Sequence, residues 1–424
     1  MAFARTAPLR REIERSLPSR PFTVTFWDGS RLEATEGDGP TFTLRSPRAA
    51  AHALRAPGQL GLGRAYVSGE IEVDDIDAVI ALLDSWKPPP LDRRAQARLA
   101  LGALRAAGLT RPPAPPQAEL RPRGERRTKD RDARSVRHHY DLPPEFFALF
   151  LDGSMTYSCA IFGGSYADGR LRWDGGAEDG PAAGAAAEDA KLDAAQEVKL
   201  ELICRKLGLA EGERVLDVGC GWGSFPTWAA EHHGVEVVGI TLSEPQARVA
   251  RERAVAAGVG DRVEIRVMDY RDLAGERFDA IASIGMVEHV GAERIDLYGE
   301  RLAALLPPGG RLLNHGITRL RHTDPEAGQF SERYVFPDAD PIHLSRVLAA
   351  LERAGFATRH VEAFGDDYAE TLRNWARRLD ENLDEAIRLA GPERVRVWRL
   401  YLRAARNGFE SGFTSIYQVL ANRA

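Results

Sequence analysis

The sequence predicts an α/β protein whose larger part is a doubly wound, Rossmann-like sheet, preceded by a small α+β domain. Three observations lead there. From Arg214 onward, short apolar runs alternate with helical patterns, as expected of a mostly parallel sheet. One of those runs passes straight into a glycine-rich turn that opens a helix. Upstream, the Pro-rich segment 111–118 separates this pattern from a first block built differently.

The first block reaches about residue 110. Residues 22–26 alternate with strand period, a Gly-Asp-Gly-Pro turn follows at 37–40, and 41–44 alternate again. Helical patterns cover 47–55, 74–86 and 92–107. Residues 111–130 read as a stiff, Pro-rich and basic linker, and 131–424 as the large domain. Between Arg121 and Arg137 eight Lys/Arg stand against three Asp/Glu. A solvated linker explains this run, and so does a basic strip facing anionic lipid head groups, at about 1 kcal/mol per residue near the surface. Only the strip predicts salt-sensitive membrane binding.

In the large domain the expected strands are 214–218, 236–240, 263–267, 278–283 and 311–315. Helices include 244–257 and 292–306, the latter ended by Pro307-Pro308-Gly309-Gly310. Residues 163–190, rich in Gly, Ala and Asp with little to bury, are expected to form a mobile loop.

Bulk properties narrow the function. A chain of 424 residues with 44% hydrophobic and 28% charged residues suits two globular domains. No apolar run approaches the roughly 20 residues of a spanning helix. The N-terminus lacks an apolar secretory segment, so the cytoplasm is the expected address. A net charge of −5 makes no case for nucleic acid as a partner. Cys159, Cys204 and Cys220 are too few and scattered for a disulfide framework or a zinc site, and no metal is expected.

The glycine turn, Val215-Leu216-Asp217-Val218-Gly219-Cys220-Gly221-Trp222-Gly223, lets a ligand approach backbone amides at a helix N-terminus. An acid two residues before the first glycine suits a cofactor with an ammonium group rather than a pyrophosphate, and Asp217 would sit near that ammonium. After the second strand, Thr241 stands where dinucleotide enzymes carry an acid for the ribose. Gln246 would reach back instead, beside Leu242. The third strand leads into Asp269-Tyr270, where an adenine would lie against the ring. Each segment alone fits an ordinary strand-end loop, and for Tyr270 alone that is the better reading. In order, along one sheet edge, they describe a class I S-adenosylmethionine methyltransferase.

Five stretches carry a resemblance to the cyclopropane fatty acid synthase family, which includes mycolic acid cyclopropane synthases and related fatty-acyl methyltransferases. They are His138-His139-Tyr140-Asp141-Leu142, Met155-Thr156-Tyr157-Ser158-Cys159-Ala160, the glycine turn with Trp222, Gly239-Ile240-Thr241-Leu242-Ser243, and Ser283-Ile284-Gly285-Met286-Val287-Glu288-His289-Val290-Gly291. The resemblance covers about 131 to the C-terminus. It implies S-adenosyl-L-methionine held also by Tyr157 and Ser158, and a bicarbonate ion held by Cys159, Glu288, His315, the Ile317 amide and Tyr368. Glu288 and His315 are expected just after the fourth and fifth strands, neighbours at the ligand edge of a doubly wound sheet. Cys204 and Cys220 are left as core packing.

The implied reaction joins the sulfonium methyl group to the double bond of an unsaturated acyl chain. A cation forms in an apolar tunnel, and a small anion held by fixed donors stabilises it and removes a proton. Cys159 is then a polar wall rather than a nucleophile. Loss of the proton from the new methyl group closes a cyclopropane, whereas a prior hydride shift leaves an exocyclic methylene that a separate reductase could saturate. Phe26-Trp27-Asp28-Gly29 and Gly61-Leu62-Gly63-Arg64-Ala65-Tyr66 are similar to full-length members that act on phospholipids, including the tuberculostearic-acid branch. On that likeness 1–110 is expected to be a lipid-binding accessory domain; a homodimer and a peripheral place on the inner membrane face are expected as well. The other readings are a catalytically dead lipid-binding protein and a small-molecule methyltransferase. Intact Gly219, Gly221, Glu288, His315 and Tyr368 speak against the first, and the anion set against the second.

Overall fold

The computed structural model describes residues 6–108, 113–120, 125, 127–140, 142–167, 170–173, 185–322 and 329–424. The chain forms two compact units, one of Met1–Arg121, Gly328–Val335 and Ala390–Asn407, the other of Pro122–Ala327, Phe336–Leu389 and Gly408–Ala424.

In the first unit four short strands, β1 (Thr23–Thr25), β2 (Arg31–Leu32), β3 (Thr41–Leu44) and β4 (Ile71–Val73), form one sheet in the order β2-β1-β3-β4. Helices Ala7–Ser16, Pro47–Arg55 and Arg93–Ala107 bury Leu9, Ala50, Ala51, Ala103 and Ala106 with Val24, Phe26 and Leu32 of the sheet region. The helices begin where side-chain caps occur. Ser46, Asp75 and Asp92 each accept a hydrogen bond from a first-turn amide. The alternation of 22–26 and 41–44 and the three helical patterns thus form as expected; helix Gln59–Val67 and strands β2 and β4 are too short or too mixed to carry a period. Within the Pro-rich segment, the Pro113 carbonyl accepts from Arg55 and the Ala118 amide donates to Glu393. Arg64 then holds Glu119 through two hydrogen bonds of 2.6 Å, with the Tyr334 hydroxyl donating to the same carboxylate.

The second unit carries the hairpin β5 (Gly164–Ala167) and β6 (Arg170–Trp173) and a seven-stranded sheet of β7 (Arg214–Val218), β8 (Glu236–Thr241), β9 (Val263–Val267), β10 (Ala280–Ile284), β11 (Arg311–Arg319), β12 (Phe356–Ala363) and β13 (Thr414–Arg423). The order is β12-β13-β11-β10-β7-β8-β9, with β7 to β11 parallel and β13 antiparallel to both neighbours. Central strands are apolar throughout because both faces are covered. Val215, Val237 and Ala280 pack on one face with Ile203, Cys204 and Ala229, while Leu216, Val238 and Ile281 pack on the other with Tyr298, Leu302 and Val347. Each large side chain so buried contributes roughly 1.5–3 kcal/mol.

Three expectations change. Residues 163–190 do not read as one structureless loop, because they contain the β5–β6 hairpin and the start of helix Ala185–Leu207. The Asp168-Gly169 pair between two alternating runs is the sequence signal for such a hairpin; residues 168–169 and 174–184 themselves lie outside the described residues. Strand β11 runs four residues past its expected end, because β13 pairs with it from Arg311 to Arg319. Strands β12 and β13 were not anticipated at all. The half-exposed edge strand β12, Phe-Ala-Thr-Arg-His-Val-Glu-Ala, lacks the apolar run of a central strand.

Candidate active site

At the carboxyl ends of β7 to β10 lies a cavity of about 180 Å³. It is lined by all ten residues expected to hold the cofactor. Asp217, Gly219 and Gly221 come from the glycine turn, Thr241, Leu242 and Gln246 from the exit of β8, Asp269 and Tyr270 from the exit of β9, and Tyr157 and Ser158 from the loop after the 144–148 helix.

Local sequence explains each placement. Gly219, Gly221 and Gly223 all have positive φ, and a Cβ on Gly223 would fall 2.7 Å from that of Ala250. At Gly221 nothing lies within 4 Å of the missing Cβ, so the backbone faces open cavity. Ser243 caps helix Glu244–Ala256 and sets Gln246 to meet Thr241, whose hydroxyl donates to Gln246 Oε1 at 2.7 Å. Asp152 holds the loop bearing Tyr157 and Ser158 by accepting from the Ser154 and Thr156 amides, both at 2.8 Å, across a left-handed Met155. Burial opposes ionisation of Asp269, but hydrogen bonds from the Arg271 side chain and amide outweigh it and keep the carboxyl low.

Asp217 is 2% exposed and its Oδ1 has no hydrogen-bond partner. Burial pushes its carboxyl up to about 7 against the pull of Lys199. Such a group is expected to meet a cationic ligand. Two cavity residues escaped the sequence reading. Lys199 is fully buried and donates to Ser158 Oγ at 2.9 Å, and Arg271 bridges Asp269 and Asp132. The legible sign for Lys199 is a lysine on the same helix face as Gln196 and Ile203, which are both buried.

The five residues expected to hold an anion do not line that cavity; Glu288 follows its residues Gly285 and Met286, His315 pairs in register with its residue Ile284, and Cys159 packs against the residue that precedes the Tyr368 helix. Glu288 lies in the short helix Val287–Val290 after β10. Its Oε1 would be 4.0 Å from a Cβ on Gly285, a cavity residue, while its buried Oε2 has no partner. Burial pushes its carboxyl up to about 7, partly offset by its own amide and that of Ile317. His315 and Ile317 sit within β11 rather than after it, which corrects the sequence expectation. The His315 ring is fully buried and Nε2 has no partner. Gln418 Oε1 accepts from Lys206 Nζ, so its amide nitrogen faces His315 Nδ1 at 3.5 Å, which leaves Nε2 the proton-bearing nitrogen. Burial holds this imidazole well below its ordinary range, hence neutral.

Tyr368 stands in the first turn of helix Gly365–Glu381, its ring 4.7 Å from Phe409. Cys159 is buried against the Phe364 carbonyl that caps that turn, and donates to the Ala160 carbonyl. Burial raises all three thiols well above their ordinary value, which suits Cys159 as a wall and Cys204 and Cys220 as packing. The structure thus joins Glu288 to Ile317 and Cys159 to the start of the Tyr368 helix.

The elevated Glu288 carboxyl predicts a pH effect. Its folded value lies above its unfolded one, so its stabilising contribution is complete below the usual carboxylate range and is lost as pH rises through about 7. Glu288→Gln, which cannot ionise, should melt higher than the parent at pH 8, with the gap closing by pH 5; calorimetric melting across that range checks it.

Part of the basic run at 121–137 is structural where it is described. Arg131 is buried and pairs with Asp338 through bonds of 2.6 and 2.7 Å, and buried Arg127 donates to the His289 carbonyl. Lys129 bonds Asp272. Among the described residues of the run, Arg127 and Arg131 are thus buried, and a buried, paired guanidinium cannot reach a bilayer, whereas Lys129, Arg134 and Arg137 are exposed.

Comparison with known proteins adds the following. Residues 127–419 match the family model described as mycolic acid cyclopropane synthetase, and 11–86 match a domain of unknown function, DUF7884. A probable fatty acid methyltransferase of Mycobacterium tuberculosis is 37% identical over 97% of this chain and 93% of its own. The cyclopropane-fatty-acyl-phospholipid synthase of Escherichia coli is 31% identical over 86% of this chain and 84% of its own. A mycolic acid cyclopropane synthase crystallised with SAH and CTAB superposes with a TM-score of 0.59 at 30% identity, covering 69% of this chain and 98% of that one.

Proposed function

Because this chain belongs to the mycolic acid cyclopropane synthetase family of S-adenosylmethionine-dependent methyltransferases, we propose that it methylates the double bond of an oleoyl-type acyl chain in a membrane phospholipid. The product is a methylene-branched chain of the tuberculostearic-acid type. The observation that carries the reading is the pair of buried atoms without partners, Glu288 Oε2 in the helix after β10 and His315 Nε2 within the adjacent strand β11. Two such atoms in apolar surroundings call for a small polar guest.

S-adenosylmethionine, when bound, supplies an electrophilic methyl group, and bicarbonate supplies a compact base. The protein orients and protects. Asp217 neutralises the cofactor's ammonium, and the backbone at Gly219 and Gly221 admits it closely. Glu288 orients the anion's hydroxyl, while His315 Nε2–H, the Ile317 amide and the Tyr368 hydroxyl donate to its oxygens. The aromatic wall of Tyr157, Trp222, Trp375 and Phe147 keeps water from the cationic substrate.

The likeness of the first block to the tuberculostearic-acid branch favours the methylene product, and the name of the Escherichia coli protein favours ring closure as the second reading. Peripheral attachment to the inner membrane face through the accessory domain and the remaining basic residues belongs to the same proposal. Incubation with oleoyl phospholipid vesicles and S-adenosylmethionine should add one CH2 to the acyl chain by mass spectrometry. Proton NMR should then show vinylidene protons; cyclopropane protons would select the second reading, and an unmodified lipid would refute both.

A further inference from the structure

Among the described residues of the second unit, Lys199 is a cation placed where water cannot reach it, in the wall of the cofactor cavity. Its one hydrogen bond is to the neutral hydroxyl of Ser158, at 2.9 Å, and no described carboxylate lies within 4.0 Å of Nζ. Asp152 and Asp217 attract it only from a distance, so the buried ammonium has no direct ionic partner, a costly state unless a ligand supplies one. In the lining of the same cavity Asp217 presents the converse, a buried carboxylate oxygen with no donor. The other cations of the lining do not play this part. Arg127 is bound to the His289 carbonyl, Arg271 to Asp269 and Asp132, and Arg294 is exposed.

We propose that Lys199, with Ser158, forms the subsite for the α-carboxylate of the cofactor's amino-acid end, opposite Asp217, so that the cavity reads a zwitterion. The inference rests on the reading that this cavity holds S-adenosylmethionine. That molecule carries two cationic centres, sulfonium and ammonium, and one anionic group. A buried lysine in the wall repels the first two and can be satisfied only by the carboxylate. Ser158 fits the same role, since its oxygen accepts from Lys199 and its own proton remains available for a carboxylate oxygen. Burial also brings the Lys199 ammonium down to about 8, as expected of a charge awaiting its counter-ion.

The test separates the carboxylate from the rest of the ligand. S-adenosylhomocysteine and its decarboxylated counterpart, which keeps the amine, are titrated calorimetrically into the full-length protein and into Lys199→Met. The wild type should prefer the carboxylate-bearing ligand by about 30-fold or more. Lys199→Met should lose affinity for that ligand by a similar factor and keep its affinity for the other, so that the preference disappears. Equal affinity of the wild type for both ligands, or an undiminished preference in Lys199→Met, overturns the subsite. The wild-type comparison stands even if the variant misfolds. Failure of the wild type to bind S-adenosylhomocysteine would instead overturn the methyltransferase reading.

Discussion

Replacing Glu288 with Gln should lower turnover on oleoyl phospholipid by roughly 10²–10⁴-fold, the range for loss of a positioned base, while leaving S-adenosylmethionine affinity nearly unchanged. The separation follows from geometry. Glu288 lies on the helix after β10, beside β11, whereas the cofactor residues line the exits of β7, β8 and β9. The amide substitution retains volume and removes only the ability to accept the anion's proton through Oε2, which has no other partner. His315→Ala and Tyr368→Phe should act in the same direction. Combining them with Glu288→Gln should cost less than the product of the single losses, because the three serve one ion. Carbonate-depleted buffer should mimic the effect in the parent enzyme, with recovery on adding bicarbonate. A Glu288→Gln enzyme with normal turnover would place the base elsewhere.

Gly221→Val should abolish S-adenosylmethionine binding in calorimetry without unfolding the protein. Gly221 has φ +53 and an open space where a Cβ would stand. The valine would suffer left-handed backbone strain of about 1–2 kcal/mol, which a domain with two buried sheet faces tolerates. Its methyl groups would occupy the cavity that the ligand must enter. Gly223→Val would be an uninformative choice, since Ala250 already fills its space and the fold itself would be strained. Undiminished affinity of Gly221→Val would remove the glycine turn from the cofactor site.

Much of this protein is legible in one dimension. The cavity residues at the exits of β7, β8 and β9 were readable because they belong to short local motifs, each a strand end followed by a turn, whereas Tyr157 and Ser158, in a loop after a helix, came only with the resemblance. The anion residues were not readable from spacing. Cys159, Glu288, His315 and Tyr368 are far apart in the chain, and only the resemblance to a family named them together. Lys199 went unread because a lysine in a long helix is ordinarily solvated, and its place on the face of Gln196 and Ile203 is a weak sign beside that expectation. The basic run is only partly legible for the same reason. Charge density along the chain does not tell a solvated arginine from Arg131, whose partner Asp338 is 207 residues away.

The strand and helix periods of the parallel core, the glycine turn and the order of the segments at the strand exits are written in the chain, because these depend on interactions within a few residues. Only the tertiary structure decided that β13 returns antiparallel between β11 and β12, keeping His315 and Ile317 in a strand. It alone decided that Lys199 and Asp217 are buried around one cavity and that Glu288 Oε2 and His315 Nε2 are left without partners. Burial and the pairing of distant charges arise from contacts between elements remote in the chain, and those same contacts set the protonation of the groups at this site.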